Sequence, residues 1–131
     1  MIIGIGTDIV EIKRIQKALA KSDALAKRVL TEAEWQEFEQ THSPARYLAK
    51  KFASKEAAVK AMGTGIGRGI SWQHIEITHD AWGKPVLNAI GAFEQWCMQQ
   101  GVSAMHISIA DEQEYATAYV VIEGVAHKGV P

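Results

Sequence analysis

Glu56 and Lys60 stand one helical turn apart in SPARYLAKKFASKEAAVKAMGTGIGRG, the segment from Ser43 to Gly69. With Leu48 set at zero and about 100° added per residue, Val59, Phe52, Ala49 and Ala53 fall between about 20° and about 140° and make an apolar stripe. Glu56 at about 80° and Lys60 at about 120° lie inside it, while Lys50, Lys51, Ser54 and Lys55 lie outside, on the side expected to face water. A carboxylate on a buried stripe is costly unless it is paired or meets a cation. Two readings stand open for this pair: an i,i+4 ion pair that serves structure alone, or part of a metal or phosphate site.

Other residues with chemistry in reach are spread along the chain. Asp8 follows a short apolar run, and Asp8 with Glu11 three residues on makes a capping-box pattern, so a capping role competes with a catalytic one. Arg14, Lys17 and Lys21 recur at i, i+3 and i+7 and put one basic stripe on a helix, with Lys13 beside it. Such a stripe is either a solvated face or a dock for an acidic partner. GTGIGRG, from Gly63 to Gly69, follows a helix instead of preceding one. It lacks the dinucleotide register and the P-loop ending, and the helix end it touches is the negative one. A backbone nest aided by Lys60 and Arg68 and a plain connector are both open for it. His42, His74, His79, His106 and His127 show no metal-ligand spacing, and Cys97 sits among apolar residues as a buried, inert thiol.

The elements that position these groups are legible in outline. Ile2 to about Thr7 reads as a strand, with Gly4 and Gly6 marking a bulge or a close backbone approach. A helix follows through Ile9, Ile12, Ile15 and Leu19. Thr31 opens a second helix with a Thr-x-x-Glu box and faces Trp35 and Phe38 inward. The central helix has Ser43 as its N-cap, Pro44 in its first turn and Gly63 as its C-cap. HIEITH and VLNA read as strands across a turn holding Gly83 and Pro85. Gly91 to Gln100 reads as a helix with Phe93, Trp96 and Cys97 inward. MHISIA and YATAYVVIE form an antiparallel hairpin across DEQE, and Ala126 to Pro131 reads as a frayed tail.

With 131 residues and 47% hydrophobic content, the chain is long and apolar enough for one domain with its own core. The net charge of −1 gives no reason to expect nucleic acid as a partner. Cys97 alone excludes an intrachain disulfide. No signal segment and no run of about 18 apolar residues is present, so no membrane is expected and the cytoplasm is the expected compartment.

Taken together, GIGTDIVEIKRI near the start, FASKEAAVKAMGTGI in the middle and MHISIADEQEYATAYVVIE near the end resemble the small 4'-phosphopantetheinyl transferases of the holo-acyl-carrier-protein synthase type, over nearly the whole chain. The resemblance implies an α+β fold, mainly antiparallel sheet against a long central helix, in a single domain over residues 1–131. It implies transfer of the phosphopantetheine arm of coenzyme A onto a serine of apo acyl carrier protein. Asp8 and Glu56 then match the magnesium carboxylates. Lys60 matches the lysine at the coenzyme A phosphates and the reacting centre. Gly63, Thr64 and Gly65, together with Gly83, Lys84 and Pro85, match segments lining the coenzyme A cleft. Arg14 matches a docking residue for the acidic carrier, with Lys17 and Lys21 on the same stripe. A homotrimer with sites between subunits is implied as well. Phe52 replaces a tryptophan that some relatives carry, and Asp111 replaces a histidine associated with coenzyme A. The alternatives are a magnesium-dependent nucleotide or phosphoester hydrolase and a non-catalytic module that binds an acidic protein.

Overall fold

In the computed structural model, which describes residues 1–125, ten elements run in the order β1 (Ile2–Glu11), α1 (Ile12–Lys21), α2 (Ala24–Val29), α3 (Glu32–Gln40), α4 (Pro44–Met62), β2 (Ile75–His79), β3 (Pro85–Ala89), α5 (Gly91–Gln99), β4 (Val102–Asp111) and β5 (Tyr115–Gly124). The segment from Ala126 to Pro131, read from sequence as a tail, lies outside the described residues. Both sheets are antiparallel: β1-β5-β4 and β2-β3. This is the expected α+β arrangement, with α4 as its centre.

α4 carries the architecture because it is covered on two sides. One core, under β4 and β5, gathers Ala53, Ala57, Ala58, Val59 and Ala61 of α4 with Phe93, Ile107, Val120 and Ile122. A second core packs Ala45, Leu48 and Ala49 of the same helix against Ile12, Ile15, Ala26, Val29 and Leu30. Burying each large side chain contributes about 1.5–3 kcal/mol, and the alanines let neighbouring backbones come close. β1 uses that closeness: a Cβ at Gly6 would overlap the carbonyl oxygen of Ala57, and one at Gly4 that of Ala61. Those two glycines let the strand run against the helix, which is how Asp8 reaches α4.

Several expectations need correction. β1 continues to Glu11, since Asp8, Ile9 and Val10 pair with Ala118, Thr117 and Ala116. Asp8 is therefore a strand residue and caps nothing; Glu11 is the N-cap of α1, without a side-chain bond. Ile9 is 65% exposed on the sheet's outer face and does not belong to α1. Ser43 makes no side-chain cap either, although Pro44 and the left-handed Gly63 bound α4 as expected. Lys51, Ser54 and Lys55 are buried, not solvated, because α4 has a second covered face toward α2 and α3. Trp96 is exposed, while Phe93 and Cys97 face the core as expected. The Thr31–Glu34 capping box of α3 is formed on both sides.

Candidate active site

β1 and α4 bring Asp8 to Lys60, which stands one helical turn from Glu56. Gly4 lies against Ala61 and Gly6 against Ala57, so Asp8, two residues farther along the same strand face, meets α4 near its next turn. The Lys60 side chain, from the turn beside Ala57 and Ala61, reaches to this part of the strand, where its ammonium donates to Asp8 Oδ1 at 2.9 Å and to the Thr7 carbonyl at 3.2 Å. Glu56 is one turn before Lys60 on the same flank of the helix. The Glu56–Lys60 pair held open from the sequence is not made. Lys60 pairs with Asp8, and Glu56 Oε2 instead accepts from the Trp72 indole N–H at 3.0 Å. The Glu56 side chain makes no other hydrogen bond among the described residues, which leaves Oε1 open.

The donor set suits a hard cation. Two carboxylates with no nitrogen or sulfur ligand match magnesium, which keeps several waters and takes one or two protein carboxylates beside phosphate oxygens. The Lys60 ammonium already sits as a positive charge on Asp8, half-exposed and on a flexible stem that can turn to a phosphate. Among the described residues no group of three or more His, Cys, Asp or Glu gathers to hold a metal ion, here or elsewhere, so the candidate site offers two carboxylates.

The glycine loop behaves differently from a nest. The amide of Gly63 donates to the Lys60 carbonyl, and those of Thr64 and Gly65 donate to the Val59 carbonyl, so all three complete the helix end. Gly67 and Ile70 bond to each other. Thr64 Oγ1, however, is the single buried side-chain polar atom without a partner among the described residues. A buried hydroxyl left unpaired in this way calls for a water or ligand partner. Gly83–Lys84–Pro85 lies at the β2–β3 tip, where Asp80 Oδ1 accepts from the amides of Trp82 and Lys84. Lys84 is exposed there and makes no ion pair with Asp8 or Glu56. Arg14, Lys17 and Lys21 are all exposed along α1, which starts four residues after Asp8, so the basic stripe is free on the surface.

Sequence reasoning missed a second cationic feature. Arg46, Lys50, Lys51 and His79 line a pocket of about 170 Å³ with Thr41, Ser43, Tyr47 and Ile109. Lys51 is only 4% exposed, and its ammonium lies 4.9 Å from the centre of the Tyr47 ring. Burial pulls the Lys51 pKa down, and burial together with Lys51 does the same to His79. Asp111 is bound to Arg46 at 2.8 Å and Lys50 at 3.4 Å; the Arg46 bond holds its carboxyl below the usual carboxylate range. Around α4, Lys51 at about 300° is roughly opposite Lys60 at about 120°. The one sequence signal was three lysines within six positions of a helix, more than one polar face needs.

Comparison with known proteins identifies the family and the fold. The family model of the 4'-phosphopantetheinyl transferase superfamily matches residues 4–120. A holo-[acyl-carrier-protein] synthase of Alteromonas mediterranea is 55% identical over 124 residues, covering 95% of this chain and 98% of the relative. The crystal structure of holo-[acyl-carrier-protein] synthase from Neisseria meningitidis superposes with a TM-score of 0.89 at 48% identity, over 94% of this chain and 99% of that one. A holo-(acyl-carrier-protein) synthase from Bacillus anthracis, solved in complex with CoA (3',5'-ADP), superposes at 0.80 with 38% identity, over 95% of this chain and 99% of that one.

Proposed function

The chain belongs to the 4'-phosphopantetheinyl transferase superfamily, and on that premise we propose that it moves the 4'-phosphopantetheine arm of coenzyme A onto a serine of an apo acyl carrier protein, as one transferase domain. What supports the site assignment is the Lys60–Asp8 contact one helical turn from Glu56, reached because Gly4 and Gly6 let β1 lie along α4. The serine hydroxyl oxygen attacks the β-phosphorus of coenzyme A and forms a phosphodiester. The bond from that phosphorus to the bridging oxygen breaks, and 3',5'-ADP leaves with the bond's electrons. The serine proton passes to a base, for which the carboxylates and a water are the candidates.

Asp8 and Glu56 hold magnesium in this reading, and when bound it supplies charge neutralisation on the pyrophosphate. Lys60 turns from Asp8 to the phosphates and offsets charge developing on the leaving group. Thr64 Oγ1 supplies a hydrogen bond within the coenzyme A cleft, and Gly63, Gly65 and the Gly83–Lys84–Pro85 turn form its walls. The assay is direct: incubate the chain with coenzyme A, magnesium and an apo carrier, then weigh the carrier. A phosphopantetheine mass gain is expected. Nucleotide release with an unmodified carrier indicates a hydrolase, and coenzyme A that neither binds nor reacts indicates a docking module.

The exposed α1 stripe fits an acidic carrier. Arg14→Glu is expected to raise the carrier KM about tenfold and leave the coenzyme A KM near its starting value, with the parent's carrier KM rising with salt. Equal effects on both substrates would remove Arg14 from docking.

A homotrimer is supported by two features. The outer face of the β1-β5-β4 sheet exposes Ile5 (57%), Ile9 (65%) and Tyr119 (46%), an apolar surface suited to another copy. Lys51 of the cationic pocket also lies on the side of α4 roughly opposite Lys60, so a second copy is the economical way to bring both to one substrate. Sedimentation at three chain masses is expected, and a fully active monomer would contradict it. No helix among the described residues is long and apolar enough to cross a membrane. The cytoplasm is the proposed site of action, and a membrane-bound pool on cell fractionation would argue against it.

A further inference from the structure

Trp72 comes from a part of the chain with no evident stake in the chemistry, and its surroundings are built with unusual care. It opens a 3₁₀ turn, Trp72–His74, that carries its own capping box: Ser71 Oγ accepts from the Gln73 amide, and His74 Nδ1 accepts from the Ser71 amide. Gln73 Nε2 ties the turn to the end of α2 through the carbonyls of Lys27, Arg28 and Leu30. The Trp72 carbonyl accepts from the Lys55 ammonium at 3.1 Å, and Lys55 itself is 0% exposed. The ring stacks on Phe52, with centroids 6.2 Å apart and planes 30° from parallel. All of this fixes the direction of one indole N–H, which ends on Glu56 Oε2 at 3.0 Å.

We propose that Trp72 is a positioning residue for Glu56: its indole N–H fixes one carboxylate oxygen and thereby presents the other, Oε1, to the cation. The proposal rests on the reading of Glu56 as a cation ligand. A free glutamate samples several rotamers and must lose them when it ligates a metal, whereas one already held by a neighbour has lost them on folding. A hydrogen bond to a metal-ligating carboxylate of this kind is worth about 10–100-fold in metal affinity. The indole is also donor only, so it cannot compete with the carboxylates for the cation.

The test measures Mn²⁺ binding by electron paramagnetic resonance in four forms of the full chain, without coenzyme A: the parent, W72F, E56Q and the double variant. Phenylalanine keeps an aromatic ring beside Phe52 while removing the N–H together with part of the indole's volume. W72F is expected to weaken Mn²⁺ about tenfold, E56Q to weaken it at least as much, and the double variant to match E56Q alone. If W72F stays within about twofold of the parent while E56Q loses affinity, Trp72 is structural only and the Glu56 reading stands. If the double variant loses a further tenfold, Trp72 acts somewhere other than through Glu56 and the proposal falls. If E56Q binds like the parent, the ligand reading itself fails. A second readout needs no substitution: on Mg²⁺ titration, the indole N–H resonance of Trp72 should shift while those of Trp35, Trp82 and Trp96 stay in place. An unmoved Trp72 resonance, with Mg²⁺ bound, would overturn the proposal.

Discussion

Glu56→Gln is expected to lower turnover by about 10³-fold while leaving the melting temperature within a few degrees of the parent. The glutamine amide has nearly the volume of the carboxylate, and its oxygen can still accept from the Trp72 indole, so local packing survives. What is lost is the negative charge and with it half of the carboxylate pair. A 10³-fold loss corresponds to about 4 kcal/mol of transition-state stabilisation, a size consistent with removal of a direct electrostatic contact. Steady-state kinetics at saturating coenzyme A and carrier, with magnesium varied, provide the measurement. Full magnesium-dependent activity in this variant would mean that Glu56 does not hold the ion.

The second large effect concerns stability. Lys55 is wholly buried and donates to Glu34 Oε1 at 2.6 Å, to the Val29 carbonyl at 2.6 Å and to the Trp72 carbonyl at 3.1 Å. Glu34 is also buried, and its other oxygen accepts from the Ile77 amide at 2.8 Å. Burial lowers the Lys55 pKa, and the facing Glu34 charge opposes that. Together the two side chains join α2, α3, α4, β2 and the turn at Trp72. Lys55→Met is therefore expected to cost about 3–5 kcal/mol, because it strands a buried carboxylate without its counter-charge. For a domain of this length that is a fall in Tm of about 10–15 °C. Glu34→Gln with Lys55→Met should recover much of the loss, since neither charge then remains. Urea denaturation of the single and double variants decides the matter: a single variant within about 1 kcal/mol of the parent would show the pair to be dispensable.

Which parts of the fold were legible follows from the range of the forces that set them. The bounds of α4 come from Pro44 and Gly63, whose effects are local and backbone-based. β4 and β5 announce themselves by period-two alternation, and the α3 capping box lies within four consecutive residues. The errors arose where a distant partner overrode a local pattern. Asp8 and Glu11 spell a capping box, yet pairing with β5 carries β1 straight through both. A helix wheel assumes one covered side and so puts Lys51 and Lys55 in water, whereas α2 and α3 cover a second side of α4 and bring Glu34 with them. The Trp72–Glu56 contact joins residues 16 apart in different elements, and no periodicity encodes it. At the site, the resemblance named Asp8, Glu56 and Lys60, and Gly4 and Gly6 allowed a close backbone approach; the fold shows that the approaching backbone is that of α4. Those glycines leave room for β1 to lie on α4.

The most direct measurement of the central claim is the anomalous scattering of Mn²⁺ in a crystal grown with coenzyme A. A peak within about 2.5 Å of carboxylate oxygens of both Asp8 and Glu56, and touching the pyrophosphate, is the predicted result. Coenzyme A bound in the crystal with the Mn²⁺ peak away from either carboxylate would contradict the account.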